Sequence, residues 1–152
     1  MVEEEVSMVD ITSKPPVYRE ASVRGLIKLK PQTINLIREG KIKKGNPFET
    51  AKIAGILAAK NTSQIIPLCH PIPLTHVDIQ TRIVDTEKIE VFTTVKTEAK
   101  TGVEMEALTA TATALLTIFD MVKQYEKDEE GQYPATEILS LKVESKTKKS
   151  SS

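Results

Sequence analysis

The sequence is short of the residues that mark several classes of protein. Its 152 residues include one cysteine and no tryptophan, and only 4% are aromatic. A single cysteine excludes an internal disulfide framework and is typical of a reducing compartment. With so few aromatic residues, the core must be built from Ile, Leu, Val and Ala. We therefore expect a cytoplasmic protein with one modest aliphatic core.

The chain also lacks an excess of either charge. It has 21 Lys and Arg against 21 Asp and Glu, so its formal net charge is zero. No overall field favours a nucleic acid or a membrane as partner. We expect no signal peptide and no apolar run long enough to cross a bilayer. A P-loop, a dinucleotide-binding fingerprint and catalytic-triad spacing are also absent from the sequence.

Hydrophobic periodicity predicts a mixture of strands and helices. Apolar residues alternate in four segments that we interpret as strands, namely 19–30, 77–83, 89–95 and 138–143. Prolines, glycines and apolar stripes predict three helices, at 31–40, 47–60 and about 102–125.

This order predicts an α+β fold. Two layers, with the helices packed on one face of a mainly antiparallel four-stranded sheet, would bury every apolar face. The fold class is a ferredoxin-like two-layer sandwich with one additional helix. We expect residues 1–152 to form a single catalytic domain in which 1–7 and 146–152 are flexible tails.

The longest predicted helix carries charge at both ends. Glu104 and Glu106 lie in its first turn, and two residues of separation place them about 200° apart around the axis. Negative charge near a helix N-terminus is favourable, which explains Glu104 better than Glu106. At the other end, Asp120 and Lys123 have the spacing of a surface ion pair. Taken alone, each pair is more readily structural than catalytic.

The same helix favours an oligomer. Its apolar arc is too wide to cover only its own sheet, so part of it should meet a second subunit, although loop coverage in a monomer is the alternative. Fourteen residues, or about 21 Å of helix, separate Glu106 from Asp120. One chain cannot bring both to one reacting atom. Two such helices packed antiparallel about a two-fold axis could do so.

Two further segments are candidates for a site. Cys69 and His70 lie between prolines, where an extended backbone points them to opposite sides, and no spacing predicts a metal site. They could be a buried thiol and a backbone-bonded histidine, or a stiff substrate wall. Lys44 precedes a helix N-terminus, where it could help to hold phosphate or could lie in a solvated turn.

Several of these segments resemble one known family. The chain is similar to the molybdenum-cofactor biosynthesis C proteins, the cyclic pyranopterin monophosphate synthases, over about residues 8–142. The most specific strings are Pro-Leu-Cys-His-Pro at 67–71 and Thr-Gly-Val-Glu-Met-Glu-Ala-Leu at 101–108. The remaining matching segments are 8–11, 44–45, 54–60 and 116–121.

The resemblance implies a lyase in molybdenum-cofactor biosynthesis. Its substrate would be the C8–C3′-cyclised GTP derivative, 3′,8-cyclo-7,8-dihydro-GTP, which is converted to cyclic pyranopterin monophosphate with release of pyrophosphate. The resemblance also implies a homohexamer built as a trimer of dimers, with active sites at dimer interfaces. No cofactor is expected to be required, although Mg²⁺ could accompany the substrate triphosphate.

The resemblance also assigns roles to individual residues. It places the active-site acid on Asp120 and functional lysines on Lys44, Lys123 and Lys142. A lysine near other cations, or one that is desolvated, could have a pKa low enough for proton transfer. Residues that contact the substrate fall on Leu68, Cys69, His70, Met105 and Glu106, with a further carboxylate on Glu104.

One segment departs from the family pattern. Family members usually carry a Gly-Gly-Lys-Ser-Gly-like segment after the last strand, whereas this chain has no glycine from residue 143 onwards. The departure puts a loop-closing role for Lys146 in doubt. A non-catalytic nucleotide-binding or regulatory oligomer on the same fold is the alternative function, because a fold does not fix an activity. A structural oligomer, with interface salt bridges at the helix ends, is a third interpretation.

Overall fold

The computed structural model describes residues 4–150, and it contains four strands and four helices. The elements, in chain order, are β1 Val17–Lys28, α1 Pro31–Arg38, α2 Pro47–Lys60, α3 Thr62–Ile65, β2 His76–Ile83, β3 Lys88–Ala99, α4 Glu104–Glu126 and β4 Glu137–Lys149. Most predicted elements are confirmed, and α3 is an additional single turn that the sequence did not indicate.

The four strands form one antiparallel sheet in the order β2-β3-β1-β4. Helices α2 and α4 are the two crossovers, which gives the β-α-β-β-α-β plan of a ferredoxin-like fold with α1 and α3 added. Apolar residues of β1 and β3 alternate inward against α4, and no helix within residues 4–150 covers the opposite sheet face. The predicted α+β two-layer sandwich is confirmed.

Two glycines allow α4 to lie close to its neighbours. A Cβ atom at Gly25 of β1 would lie 2.7 Å from Leu115 Cδ1 of α4. A Cβ atom at Gly55 of α2 would lie 3.0 Å from the carbonyl oxygen of Ala110, and would also overlap Ile79 of β2. Real Cβ atoms essentially never approach as closely as the Leu115 and Ile79 contacts, so an alanine at either glycine would force buried neighbours to shift. The position of α4, and of both its ends, is therefore tightly determined.

Strand β4 continues well past its predicted end. It pairs with β1 as far as the Tyr18–Lys149 position, with irregularities after Ser22 and Leu26 of β1. The prediction of a flexible tail from Lys146 is therefore wrong for residues 146–149. The polar composition misled the prediction, because an edge strand that is largely exposed needs few apolar residues when its backbone is paired. Residues 4–7 form no helix or strand, whereas the other predicted tail residues, 1–3 and 151–152, lie outside the described part.

Helix α4 is also more apolar than the sequence analysis allowed. It is the one helix in residues 4–150 that is long and apolar enough to cross a membrane by length and composition. Half of its most apolar window is buried inside the domain, as expected for the core helix of such a fold. The expectation that no apolar run reaches that length overlooked α4. Its large apolar residues, most of them between Leu115 and Val122, give the helix this hydropathy although threonines interrupt the run.

A buried carboxylate ties the end of α4 to the start of α1. Glu126 is completely buried. It accepts hydrogen bonds from the backbone N–H of Lys30 at 3.1 Å, from the hydroxyl of Thr33, and from the hydroxyl of Thr136 at 2.7 Å. Lys30 is the N-cap residue of α1. Glu126 therefore satisfies the N-cap backbone N–H from another helix, a role that the N3 side chain plays in a capping box.

We expect Glu126→Ala to destabilise the fold by about 3 kcal/mol or more, since removing the acceptor leaves several buried donors without partners. Thermal or urea unfolding would measure the loss. Glu129→Ala, at an exposed position in the following loop, is the matched control and should have little effect. Equal unfolding midpoints for the two variants would contradict the structural role of Glu126.

Candidate active site

A buried carboxylate marks the head of α4. Glu106 is only 3% exposed, and its Oε1 has no hydrogen-bond partner among the described residues. Neighbouring Val103 and Ala107 are completely buried and fix this turn of the helix against the core. A turn after α3, in which the N–H of Cys69 donates to Ile66, places the Cys69 thiol 3.7 Å from Glu106 Oε2. The helix start and the proline-bracketed segment therefore meet at this pair.

Burial controls the protonation of the pair. It raises the pKa of Glu106, and the charge of Glu104 raises it further, against the hydrogen bond from Cys69. The pKa of the Cys69 thiol is raised to about 11, first by desolvation and then by the negative charge and hydrogen bond of Glu106. A thiol of this kind is protonated at neutral pH, which is opposite to the requirement for an activated nucleophile.

His70 faces away from that pair. Its Nε2 lies 2.7 Å from the carbonyl oxygen of Val9 in the segment that precedes β1. The two adjacent residues thus have separate partners, as their extended spacing predicted. The contact also places the N-terminal segment beside the site, since His70 and Val9 line the same cleft.

An open cleft of about 400 Å³ lies at the head of α4. Five of the predicted substrate-binding residues line it, namely Leu68, Cys69, His70, Glu104 and Met105. The sixth, Glu106, lies behind Cys69. Lys14 also lines the cleft, and sequence reasoning missed it because an isolated lysine in a proline-containing segment has no periodicity to place it.

A second charged cluster lies near the other end of α4. Asp120 Oδ1 is 3.0 Å from Lys123 Nζ, and Asp120 Oδ2 is 3.2 Å from Lys44 Nζ. The hydrogen bonds from Lys123 and Lys44 lower the pKa of Asp120, and Asp120 in turn raises the pKa of Lys123. A lysine with a lowered pKa was one possibility raised by the sequence. Lys123 does not have one, because its nearest charged partner is the Asp120 carboxylate and not a second cation.

Lys142 lies apart from both groups. It is directly opposite Arg24 in the β1–β4 ladder, whereas the next residue, Val143, packs among the core residues beneath α4. Adjacent strand residues point to opposite faces, so Lys142 lies on the sheet face that has no helix. The predicted site residues therefore form three groups in one chain: the cleft, the Asp120 cluster and Lys142. About 21 Å of helix separates the first two groups.

The next question is whether these side chains could bind a metal ion. Within residues 4–150, no three His, Cys, Asp or Glu side chains converge as a metal site would require. The titratable groups at the cleft instead combine a carboxyl of raised pKa with neighbouring lysine and histidine side chains. Such groups are suited to proton transfer and to holding a polar ligand.

Together these features define a small ferredoxin-like protein with a candidate active site for a polar small molecule. The model of the MoaC family matches residues 8–149 of the chain. A probable cyclic pyranopterin monophosphate synthase of Sulfurisphaera tokodaii is 58% identical over 144 residues, which cover 95% of each chain. The chain belongs to the MoaC family, which confirms the resemblance seen in its sequence.

Other relatives are equally similar. A probable cyclic pyranopterin monophosphate synthase of Pyrococcus furiosus is 59% identical over 146 residues, covering 96% of this chain and 93% of its own. A Methanothermobacter thermautotrophicus relative is 55% identical over 146 residues, covering 96% of this chain and 91% of its own. Its name is probable cyclic pyranopterin monophosphate synthase accessory protein.

The pairing of Cys69 with Glu106 can be tested by thiol alkylation. Wild-type protein should react slowly with iodoacetamide at pH 8, with a reaction pKa of about 11. Glu106→Gln removes the negative charge, so the thiol pKa should fall and the rate at pH 8 should rise. Glu98→Gln, on the strand before this site, is the control. An unchanged pH–rate profile in Glu106→Gln would mean that the carboxylate does not act on the thiol.

Proposed function

We propose that this protein is a cyclic pyranopterin monophosphate synthase of molybdenum-cofactor biosynthesis. It is a lyase that converts 3′,8-cyclo-7,8-dihydro-GTP to cyclic pyranopterin monophosphate and pyrophosphate. One observation carries the proposal: in a chain of the MoaC family, five of the residues expected to contact substrate line a single cleft, with Glu106 behind it. The phosphorus balance agrees, since a triphosphate that retains one phosphate as a cyclic ester releases the other two.

Each group has a role suited to its surroundings. The cleft residues hold the purine-derived ring, and Glu106, whose pKa is raised by burial, exchanges a proton or accepts a ring N–H. Lysines offset the charge that develops on the departing pyrophosphate. Proton transfer and charge stabilisation require no resident cofactor, and Mg²⁺ would enter with the triphosphate. We place the reaction in the cytoplasm, with no nucleic acid or membrane as partner.

The site is completed by a second subunit. Exposed apolar side chains on the outer faces of α2 and α4 support this assembly: Ile53 is 61% exposed, Leu57 53% and Leu116 58%. Burial of such a surface by another copy of the chain is favourable. Two α4 helices packed antiparallel would bring the Asp120 cluster of one chain towards the cleft of the other. A hexamer built as a trimer of dimers is the proposed full assembly.

Turnover of the cyclised GTP derivative is the direct test. Wild-type protein should release pyrophosphate and yield a product that becomes a fluorescent pterin after oxidation. Tight binding of the substrate without release of pyrophosphate would instead support the alternative, a non-catalytic nucleotide-binding or regulatory oligomer. The name of the Methanothermobacter relative, an accessory protein, makes this second outcome worth measuring separately.

Asp120→Asn and Lys123→Ala should each abolish turnover and leave the fold intact. Both side chains are on the exposed side of α4, so their replacement removes charge without opening a cavity. Pyrophosphate release measures the activity, and circular dichroism measures the fold. Lys127→Ala, an exposed lysine just beyond the same helix, is the matched control. Near-normal activity in either Asp120→Asn or Lys123→Ala would remove the Asp120 cluster from the mechanism.

Mixing two inactive variants tests the shared site. Glu106→Ala and Asp120→Asn place their defects at opposite ends of α4. If sites combine the two ends from different chains, a mixed dimer has one site with both defects and one intact site, so part of the activity should return. Mass spectrometry verifies that subunits have exchanged. Proven exchange with no recovery of activity would show that each chain builds its own site.

A further inference from the structure

The link between β3 and α4 contains a glycine that the backbone conformation does not require. Among the described glycines, Gly40, Gly45 and Gly131 have positive φ angles, whereas Gly102 does not. Another residue could therefore adopt the backbone conformation of Gly102 without strain. Space, rather than conformation, explains the glycine.

A folded-back carboxylate occupies that space. A Cβ atom built on Gly102 would overlap Oε1 of Glu104, and would lie 2.9 Å from its Cδ and 3.0 Å from Oε2. All three of the nearest atoms therefore belong to the Glu104 carboxylate. An alanine at Gly102 would therefore displace the Glu104 carboxylate. Because this carboxylate is the mobile end of a partly exposed side chain, it could move without disturbing the core.

The position of Glu104 matters because it stands between two clefts. The larger cleft contains Cys69, His70 and Met105. The smaller one, of about 110 Å³, contains Arg19, Lys146 and Lys148. Gly102 and Glu104 are the two residues that line both. The carboxylate therefore forms the boundary between a cleft suited to a polar ring and a pocket rich in cations.

Strand β4 supplies a second restraint on this carboxylate. Lys146 Nζ lies 4.0 Å from Glu104 Oε2. Lys146 is opposite Ala21 in the β1–β4 ladder, so a paired strand carries it in this chain. The ion pair is exposed and contributes little to stability. It nevertheless places a cation of the smaller cleft beside the Glu104 carboxylate.

We propose that Gly102 is a positioning residue: its missing side chain leaves the space that holds the Glu104 carboxylate at the boundary of the two clefts. This inference rests on the proposed function for its effect on turnover. The effect of Gly102 on the position of the Glu104 carboxylate does not depend on the proposed function. Displacing a charged group by about 1 Å in an active site can reduce the rate on the order of 100-fold.

A mutant cycle tests the proposal. Gly102→Ala should lower kcat/KM on the order of 10- to 100-fold while shifting the melting temperature by less than about 3 °C. Glu104→Gln should also lower activity. Adding Gly102→Ala to Glu104→Gln should then cost no further activity, because the group that Gly102 accommodates has lost its charge. Losses that multiply in the double variant would overturn the proposal.

A second readout separates this inference from the proposed function. Carbon-13 NMR can follow the titration of the Glu106 carboxyl, on which the Glu104 charge acts directly. Gly102→Ala should change that titration in the wild-type background and leave it unchanged in the Glu104→Gln background. If the wild type shows no turnover but the titration behaves in this way, the proposed function fails and the positioning role stands. An active wild type with an unaffected Gly102→Ala variant would refute the positioning role.

Discussion

Close packing of α4 against the sheet and against α2 is the constraint on which the remaining structure depends. At these contacts, the side chains of Leu115 and Ile79 and the backbone at Ala110 approach Gly25 and Gly55 more closely than a methyl group would allow. Packing of this density fixes the helix in rotation as well as in position. Rotation decides which first-turn carboxylate is buried, and so it determines the chemistry at the head of the helix.

The two ends of α4 provide opposite electrostatic environments. At the head, burial makes ionisation costly, so the pKa values of Glu106 and Cys69 are both raised. Towards the tail, Asp120 is exposed to solvent between two lysines, and its pKa is lowered. The head therefore favours groups that can hold a proton, whereas the tail favours fixed charges. A reaction that rearranges a ring and releases an anion needs both kinds of group.

A single chain keeps these groups apart, and its surface is consistent with assembly. The length of the helix prevents Glu106 and Asp120 from meeting within one subunit, and Lys142 lies on the other face of the sheet. Exposed apolar residues on the outer side of the helix layer provide a surface that another copy could cover. Under the proposed assembly, the same helix that stabilises the subunit would also connect the halves of two active sites.

Local pattern was enough to predict much of the fold. Alternation identified the four strands, and the Pro47–Lys60 helix was predicted with its observed bounds because proline and asparagine mark its ends clearly. The end of β4 was missed, since a polar edge strand resembles a disordered tail in composition. Helix α3 was missed because four residues contain too little periodicity.

Some features of the candidate site could likewise be predicted from the sequence, and others could not. The resemblance to the family indicated the cleft residues. Spacing alone indicated the separation of Glu106 from Asp120 and the different partners of Cys69 and His70. Sequence could not determine that Glu106 is buried beside the Cys69 thiol, that Lys44 reaches Asp120, or that Glu104 occupies the space left by Gly102. These are contacts between residues that are distant in the chain or that depend on side-chain direction. Only the packing of α4 brings the atoms together, so only the tertiary structure decided which charges are shielded from water and which are not.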